Sequence, residues 1–281
     1  MRVLITGGGC EEPIDGVRSL CNFSTGRTAS VLCDRLVEQG HEVTAVFAER
    51  AVKPSKPVAS HSFRTFQDLS DTLHELLVKK DYGMIIHAAA VSDFGVGSME
   101  IDGIPYLPGS YGKIESGSEV IIRLKQNPKI IDQLRAWSIN PTVYIVGFKL
   151  TNGANVPERE KASAELLYRA KVDCVVSNDF AEMKGIDTPG QALDSRGFVP
   201  HFPPQGAGYL TLLSRHSLGN GTIKMLPFRS LRWGMNSARH PFRIYGQSPE
   251  GALELLGAGN DKEELARYFA RKADVIQGGS I

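Results

Sequence analysis

MRVLITGGGCEEPIDGVRSLCNFSTGRTAS, residues 1–30, opens as a strand, because residues 2–6 carry an apolar run between Arg2 and Thr6. Gly7, Gly8 and Gly9 follow where a strand-to-helix turn lets backbone amides approach a phosphate or a carboxylate. No helix comes next. Residues 11–16 (EEPIDG) form an acidic, proline-containing loop, and a helical pattern begins only near Thr25, with Ala29, Leu32, Cys33 and Leu36 on one face and Gly40 as its stop. The usual dinucleotide turn is thus interrupted by roughly fifteen residues, and an inserted loop of that length is more often functional than idle.

Outward from this stretch the first half alternates strand and helix. Residues 41–48 (HEVTAVFA) read as a second strand, 51–60 as a proline-rich connection and 63–66 as a short third strand. Leu69, Leu73, Leu76 and Leu77 stripe a helix ending near Lys80, and residues 84–89 make a fourth strand. This rhythm predicts an α/β fold, a Rossmann-like, doubly wound, mostly parallel sheet with helices on both faces, its ligand site at the carboxyl ends of the strands. The loop after Thr6 and the loop after Ala90 should then meet at one place.

Residues 91–112 show no period and are punctuated by glycine and proline, so they read as a long mobile loop, either an active-site lid or plain surface. Beyond it come a strand over 119–124, a helix over 128–137 with Pro128 in its first turn, and a strand over 142–148. A helix over 158–171 and a strand over 173–177 follow. Residues 191–202 and 208–213 read as closing strands, and 262–276 as a final helix, all within a single domain of residues 1–281. Residues 215–260 fit no pattern: they hold six Lys or Arg against two acidic residues, with Phe228, Trp233, Phe242 and Tyr245 interleaved, and read as an insertion or a partner-facing segment.

At 42% hydrophobic and 22% charged, the composition is that of an ordinary globular protein. A formal net charge of +1 argues against a nucleic-acid or membrane surface as partner. Cys10, Cys21, Cys33 and Cys174 have no CxxC or metal-ligand spacing and read as free thiols of a reducing compartment. With the first strand starting at residue 2 and no apolar run long enough to span a bilayer, the expected location is the cytoplasm.

The blocks ITGGGCEEPIDGVRSLCNFSTGR, AAAVSDF, KIES, LKQNPKIIDQLR, VGFKL and VVSND, in that order across residues 1–180, resemble the phosphopantothenoylcysteine synthetases of coenzyme A biosynthesis. In bacteria these are often fused to a flavin-dependent decarboxylase; that half has no counterpart here, so no flavin is expected. The resemblance implies a magnesium-dependent ligase, a homodimer, that works in two halves. A nucleoside triphosphate, CTP in most bacterial members and otherwise ATP, activates the carboxylate of 4'-phosphopantothenate as an acyl-nucleotide with release of pyrophosphate. The amine of cysteine then attacks the mixed anhydride. Such chemistry asks for positive charge on the departing pyrophosphate, donors on the acyl group and exclusion of water.

By the same resemblance Asn22 holds the acyl-nucleotide and Lys113 engages the triphosphate; read alone, Asn22 is a helix cap or a turn residue and Lys113 a solvated loop lysine. Arg18 offers a fork for a carboxylate or phosphate, against a surface ion pair, and Ser24, Gly26 and Arg27 continue the substrate-binding block. On the nucleotide side stand Gly7, Gly8 and Gly9 with Ala88, Ala89 and Ala90. Asp93 could take the ribose or place magnesium, against an Asx turn. Asn127 and Pro128 open a helix whose N-terminus would face nucleotide oxygens, and Phe148 flanks the base or packs in the core. Lys161, Arg169 and Lys171 lie on a helix whose family counterpart carries triphosphate-binding lysines, although the spacing here differs. Cys10 stands where the family commonly has Thr, and Thr28-Ala29 where a larger apolar residue and Gly are usual.

Two other classes stay open on the residues. A nicotinamide-dependent reductase is suggested by TGGG, by His87-Ala88-Ala89-Ala90 and by Glu49 at the end of the second strand, but GxGxxG is missing and Tyr168 and Lys171 stand one residue too close for a YxxxK pair. A non-catalytic nucleotide-sensing protein on the same fold is the other.

Overall fold

The computed structural model describes residues 1–110, 112–180, 210–214, 242–247, 253–259 and 262–278. The chain divides into two compact units, Met1–Val143 with Phe269–Ile281 and Tyr144–Tyr268, where the sequence leads one to expect a single domain.

In chain order the first unit runs β1 (Arg2–Gly7), β2 (Glu11–Pro13), β3 (Ser19–Cys21), α1 (Arg27–Glu38), β4 (Glu42–Ala48), β5 (Ala59–Phe63), α2 (Phe66–Lys79), β6 (Met84–His87), β7 (Phe94–Ile101), β8 (Ile104–Tyr106), β9 (Val120–Gln126), a 3-10 turn (Ile130–Asp132) and α3 (Leu134–Trp137). Its main sheet is parallel, in the order β6-β1-β4-β5. Ile5 sits in register between Ala45 and Ile86. Both faces of such a sheet are covered, and β1, β4 and β6 are accordingly near-continuous apolar runs. After β1 the chain steps outward to β4 and β5, then returns to place β6 on the other side of β1. The crevice of a doubly wound sheet opens at such a reversal, above the carboxyl ends of the two strands that flank it.

The helices follow from their stripes and caps. α1 buries Ala29, Leu32, Cys33 and Leu36, the face read from the sequence, and α2 buries Phe66, Leu69, Leu73, Leu76 and Leu77. Each leucine so buried contributes about 1.5–3 kcal/mol. α2 starts at Phe66, inside the expected third strand, because Thr65 and Asp68 form a reciprocal capping box that turns the chain into helix. That strand lies earlier, over Ala59–Phe63.

Two segments depart from the sequence reading. Residues 91–112 are not a period-free loop: β7 and β8 occupy half of them and form a three-stranded antiparallel sheet with β9, in the order β8-β7-β9. A bulge between Val96 and Ser98 shifts the alternation midway, so no period of two survives in the sequence. Met99 and Ile101 of β7 pack with Ile114 into a small core of their own, against Ile14, Tyr106 and Ile122. The acidic loop after the glycines is the first arm of a short hairpin, β2 paired with β3. Nor is there a continuous helix over 128–137. Lys129 is extended and only the 3-10 turn and the single turn α3 follow, so Pro128 lies ahead of both rather than in a first helical turn.

The second unit holds β10 (Tyr144–Thr151), α4 (Val156–Arg169), β11 (Cys174–Asp179), β12 (Leu210–Ser214), β13 (Phe242–Gln247) and β14 (Leu253–Gly259), and the division between units falls within α5 (Lys262–Gly278). Its strands run in the order β14-β13-β12-β11-β10, with β10 parallel to β11 and β12 antiparallel to it. α4 carries a capping box of Asn155 and Glu158. Buried Asp179 closes the turn before that helix: its carboxylate accepts from the Thr151 hydroxyl at 2.7 Å and from the Gly153 and Ala154 amides at 2.9 and 3.1 Å. β13 and β14 lie inside 215–260, the stretch whose sequence showed no pattern. The strand expected over 191–202 lies outside the described residues.

Candidate active site

The loops after β1 and β6 do meet. Ala90 donates its amide to the Gly8 carbonyl at 2.8 Å, and Cys10 donates to the Ala90 carbonyl at 3.1 Å. Gly7 ends β1 and Gly8 and Gly9 carry the chain over the crevice. The Asn22 amide returns to the Cys10 carbonyl at 3.0 Å, pressing its own carbonyl onto Gly9 so closely that a Cβ there would stand 1.9 Å away. Only glycine fits that approach.

This places the Asn22 side chain across the gap from the β6–β7 connection. Its Nδ2 donates to the Val91 carbonyl at 3.3 Å, and its Oδ1 accepts from the Ser92 hydroxyl at 3.0 Å. Ser92 is buried while Asn22 is exposed, so the buried hydroxyl orients the amide and leaves it one N–H and one acceptor site facing outward. The cap of α1 is Gly26, not Asn22, which disposes of the helix-cap reading. Behind them the Cys10 thiol is buried; burial pushes its pKa up to about 11, although a hydrogen bond from the Ser92 amide works the other way. It is a protonated packing group. None of Cys10, Cys21, Cys33 and Cys174 is in a disulfide.

Asp93 and Asn127 join the same cluster. Asn127 donates its backbone amide to the Asp93 carbonyl at 2.8 Å and its Nδ2 to the Ser92 carbonyl at 3.0 Å. The Asp93 carboxylate pairs with Lys129 at 2.5 Å. With α2's N-terminus satisfied by Thr65 and by the Glu12 carboxylate on the Phe66 amide at 2.8 Å, the long helix next to the glycines stands out. α1 begins at Gly26 in a left-handed conformation with no side-chain cap, and Ser24 and Arg27 lie exposed around it. The Arg27 amide donates to Thr25 Oγ1 at 3.4 Å, and the amides that follow it in the first turn are placed to receive an anion.

Ala88, Ala89 and Ala90 are half-buried, and the Ala89 amide donates to Thr6 Oγ1 at 3.1 Å. The same hydroxyl lies 3.0 Å from His87 Nδ1. Burial lowers the His87 pKa to about 4, so the imidazole is neutral at ordinary pH and takes no part as an acid.

Of the two readings of Arg18, a ligand fork or an ion pair, the structure holds the ion pair. The guanidinium is not an open fork: its Nη1 pairs with Asp15 Oδ2 at 2.6 Å, and Nη1 and Nη2 both donate to the Ile114 carbonyl at 3.2 Å. Asp15 in turn accepts from the Ile114 amide at 3.1 Å and from the Val17 and Arg18 amides at 2.8 and 2.7 Å. Burial by itself would raise the Asp15 pKa; the three amide hydrogen bonds and the Arg18 charge outweigh it and hold the carboxyl down at about 2. Exposed Lys113 is the residue next to the one so gripped.

Four sequence candidates belong to the second unit. Phe148 is half-buried within β10 rather than at its end, since that strand continues to Thr151. Lys161 is exposed on α4 and Arg169 is its last residue. Lys171 lies beyond the helix end with φ 51°, since the helix expected over 158–171 runs two residues earlier, over Val156–Arg169. Among the described residues no group of three His, Cys, Asp or Glu could hold a metal, and the Asp93 carboxylate is paired with Lys129. Sequence reasoning missed Asp15, Ser92 and Lys129, each of which has a partner far along the chain, in Ile114, Asn22 and Asp93.

No helix among the described residues is long and apolar enough to cross a membrane. The family described as the DNA/pantothenate metabolism flavoprotein C-terminal domain matches residues 1–194. The coenzyme A biosynthesis bifunctional protein CoaBC of Methanocaldococcus jannaschii is 32% identical over 181 residues, 64% of this chain and 41% of that protein. The chain spans less than half the length of the curated relatives it matches first. Among solved structures, the DNA/pantothenate metabolism flavoprotein from Streptococcus pneumoniae superposes with a TM-score of 0.67 at 22% identity, over 98% of this chain and 99% of that one. A Cab2 variant in complex with phosphopantothenate-cysteine superposes with a TM-score of 0.53 at 22% identity, over 64% of this chain and 72% of that one. Both likenesses speak for the fold, Rossmann-like α/β.

Proposed function

Because the chain belongs to the DNA/pantothenate metabolism flavoprotein C-terminal domain family, we propose that it is a phosphopantothenate–cysteine ligase, making the amide of 4'-phosphopantothenoylcysteine in coenzyme A biosynthesis. The observation that carries the reading is the Asn22 amide, fixed by Val91 and Ser92 where the loops after β1 and β6 cross. A neutral amide with one donor and one acceptor turned outward can hold an acyl phosphate anhydride without adding charge to it. The uncapped start of α1 supports an anionic group beside the glycines. Lys113 supplies mobile positive charge for a triphosphate, and Asn127 and Asp93 offer polar contacts for its sugar.

The reaction runs in two displacements. A carboxylate oxygen of 4'-phosphopantothenate attacks the α-phosphorus of CTP or ATP, and pyrophosphate leaves against Lys113. The cysteine amine then attacks the acyl carbon, the nucleoside monophosphate leaves, and the amine gives up its proton. Magnesium would come with the triphosphate and partly neutralise its charge. Large apolar residues exposed along the small sheet, Phe94, Ile121 and Leu124 among them, support a homodimer through these strands, which a monomeric mass in solution would exclude.

The decisive measurement is pyrophosphate release by the purified chain with magnesium, 4'-phosphopantothenate and cysteine, CTP and ATP in parallel, each component omitted in turn. Release that requires 4'-phosphopantothenate, and is faster with one nucleotide, is the expected result. Its absence with both nucleotides from a folded protein removes the ligase reading.

A further inference from the structure

We propose that Asp15 is a positioning residue for Lys113, acting through a clamp on the peptide groups of Ile114. The inference rests on the ligase reading for what Lys113 does, but its geometry stands apart. Both polar groups of one residue, Ile114, are taken by the tip of the hairpin between β2 and β3: Asp15 Oδ2 accepts from its amide at 3.1 Å, and Arg18 donates twice to its carbonyl at 3.2 Å. Asp15 and Arg18 are joined to each other at 2.6 Å, so the clamp is a closed ring rather than two separate bonds.

Two further contacts bind the same stretch to the same tip. The Gly109 amide donates to the Ile14 carbonyl at 3.1 Å, and the Gly112 carbonyl lies so near Gly16 that a Cβ there would meet it at 2.3 Å. The Ile114 side chain is itself buried with Met99 and Ile101. A lysine on an otherwise exposed stretch therefore has its root fixed on one side by the clamp and on the other by the Gly16 contact. Asn22 lies at the base of the hairpin that carries Asp15 and Arg18, so one short element sets both residues of the proposed chemistry. Freed from its neighbour, Lys113 would sample many positions before meeting a triphosphate, and misplacement of a catalytic cation by an ångström is enough to slow a displacement.

The test compares Asp15→Ala, Asp15→Asn, Lys113→Ala and the double variant Asp15→Ala with Lys113→Ala. Hydrogen exchange at the Ile114 amide should quicken at least about tenfold in Asp15→Ala and less in Asp15→Asn, which keeps an acceptor. For pyrophosphate release, kcat should fall about tenfold in Asp15→Ala with KM for 4'-phosphopantothenate within about twofold, and the double variant should be no slower than Lys113→Ala alone. Unchanged exchange at Ile114, or losses that multiply in the double variant, overturns the proposal. If Asp15→Ala does not fold, Arg18→Lys carries the same comparison, since it keeps the charge beside Asp15 but loses the paired bonds to Ile114. Should the wild type release no pyrophosphate, the ligase reading falls by itself. The proposal is then decided by magnesium-CTP and magnesium-ATP affinity, which Asp15→Ala and Lys113→Ala must weaken alike and not cumulatively; affinity unchanged in either, or absent in the wild type, overturns it.

Discussion

Asn22 and Lys113 serve the same proposed reaction from the two ends of one hairpin, and they are held in opposite ways. Asn22 is fixed by its head: the amide itself is bonded to Val91 and Ser92. Lys113 is fixed by its root: the backbone of Ile114 is clamped, and the lysine's own chain reaches into solvent. An oriented amide suits recognition of a group with fixed geometry, such as an acyl phosphate. A long cation on a fixed root suits a charge that moves, such as a departing pyrophosphate, and defers its ordering cost of about 1.5–2 kcal/mol until that charge arrives. The difference teaches that preorganisation here is divided between side chain and backbone according to what each ligand does.

The largest effects should come from destroying either group outright. Lys113→Ala is expected to slow pyrophosphate release about 10²–10³-fold, the usual cost of removing one electrostatic stabiliser. Asn22→Asp should be as damaging, but by placing negative charge beside an anionic intermediate, so that acyl-nucleotide fails to form or is lost to water. Quantifying acyl-nucleotide and amide product separately by rapid quench distinguishes them. If Asn22→Asp turns over at the normal rate, Asn22 has no place in the mechanism.

A smaller effect separates head from root. Ser92→Ala leaves both groups present but frees the Asn22 amide to rotate, and loss of one orienting hydrogen bond of about 1–1.5 kcal/mol should cost about tenfold in turnover. Lys113 should be untouched, so nucleotide affinity should stay at the wild-type value. A fall in nucleotide affinity as large as the fall in turnover would mean that the two ends are not independent, and the contrast between them would go.

How much of this could be read beforehand follows the same division between local and distant partners. β1, β4, β6 and the stripes of α1 and α2 were legible because burial on both sheet faces and the helical period leave continuous or repeating apolar residues. The meeting of the loops after Thr6 and Ala90 was legible from topology alone, since a sheet that reverses direction must open there. β7 was not, because its bulge at Val96 and Ser98 breaks the alternation, and β2 and β3 are too short to show a period. Asp15 read only as part of an acidic loop, and locally it closes a turn, accepting from the Val17 and Arg18 amides. Its third bond, to Ile114, joins positions 99 apart, and no local pattern announces it. Asn22 and Lys113 were visible through the resemblance of their blocks rather than through any period or spacing.

The last prediction uses pH to set the two ends against each other, and near neutrality it is the smallest. Under the Asn22 end, Thr6 accepts from Ala89 and meets His87, whose pKa burial lowers from 6.5 to about 4. The unfolded chain therefore binds the proton more readily, and stability is full above the unfolded pKa and falls as pH drops from about 6.5 to about 4. The loss is under about 1 kcal/mol at pH 6 and grows to about 3 kcal/mol near pH 4. At the Lys113 end, Asp15 is held at about 2, below the 3.8 of an ordinary aspartate, so its contribution is intact above pH 4 and is lost only as pH falls toward 2. Acidification should thus loosen the Ala89 amide first and the Ile114 amide only at lower pH, as read by exchange corrected for its intrinsic pH dependence. His87→Gln should flatten the first transition and leave the second in place. Loosening of both amides together at pH 5 would show that one group governs both, and that the head and the root of the site are a single unit.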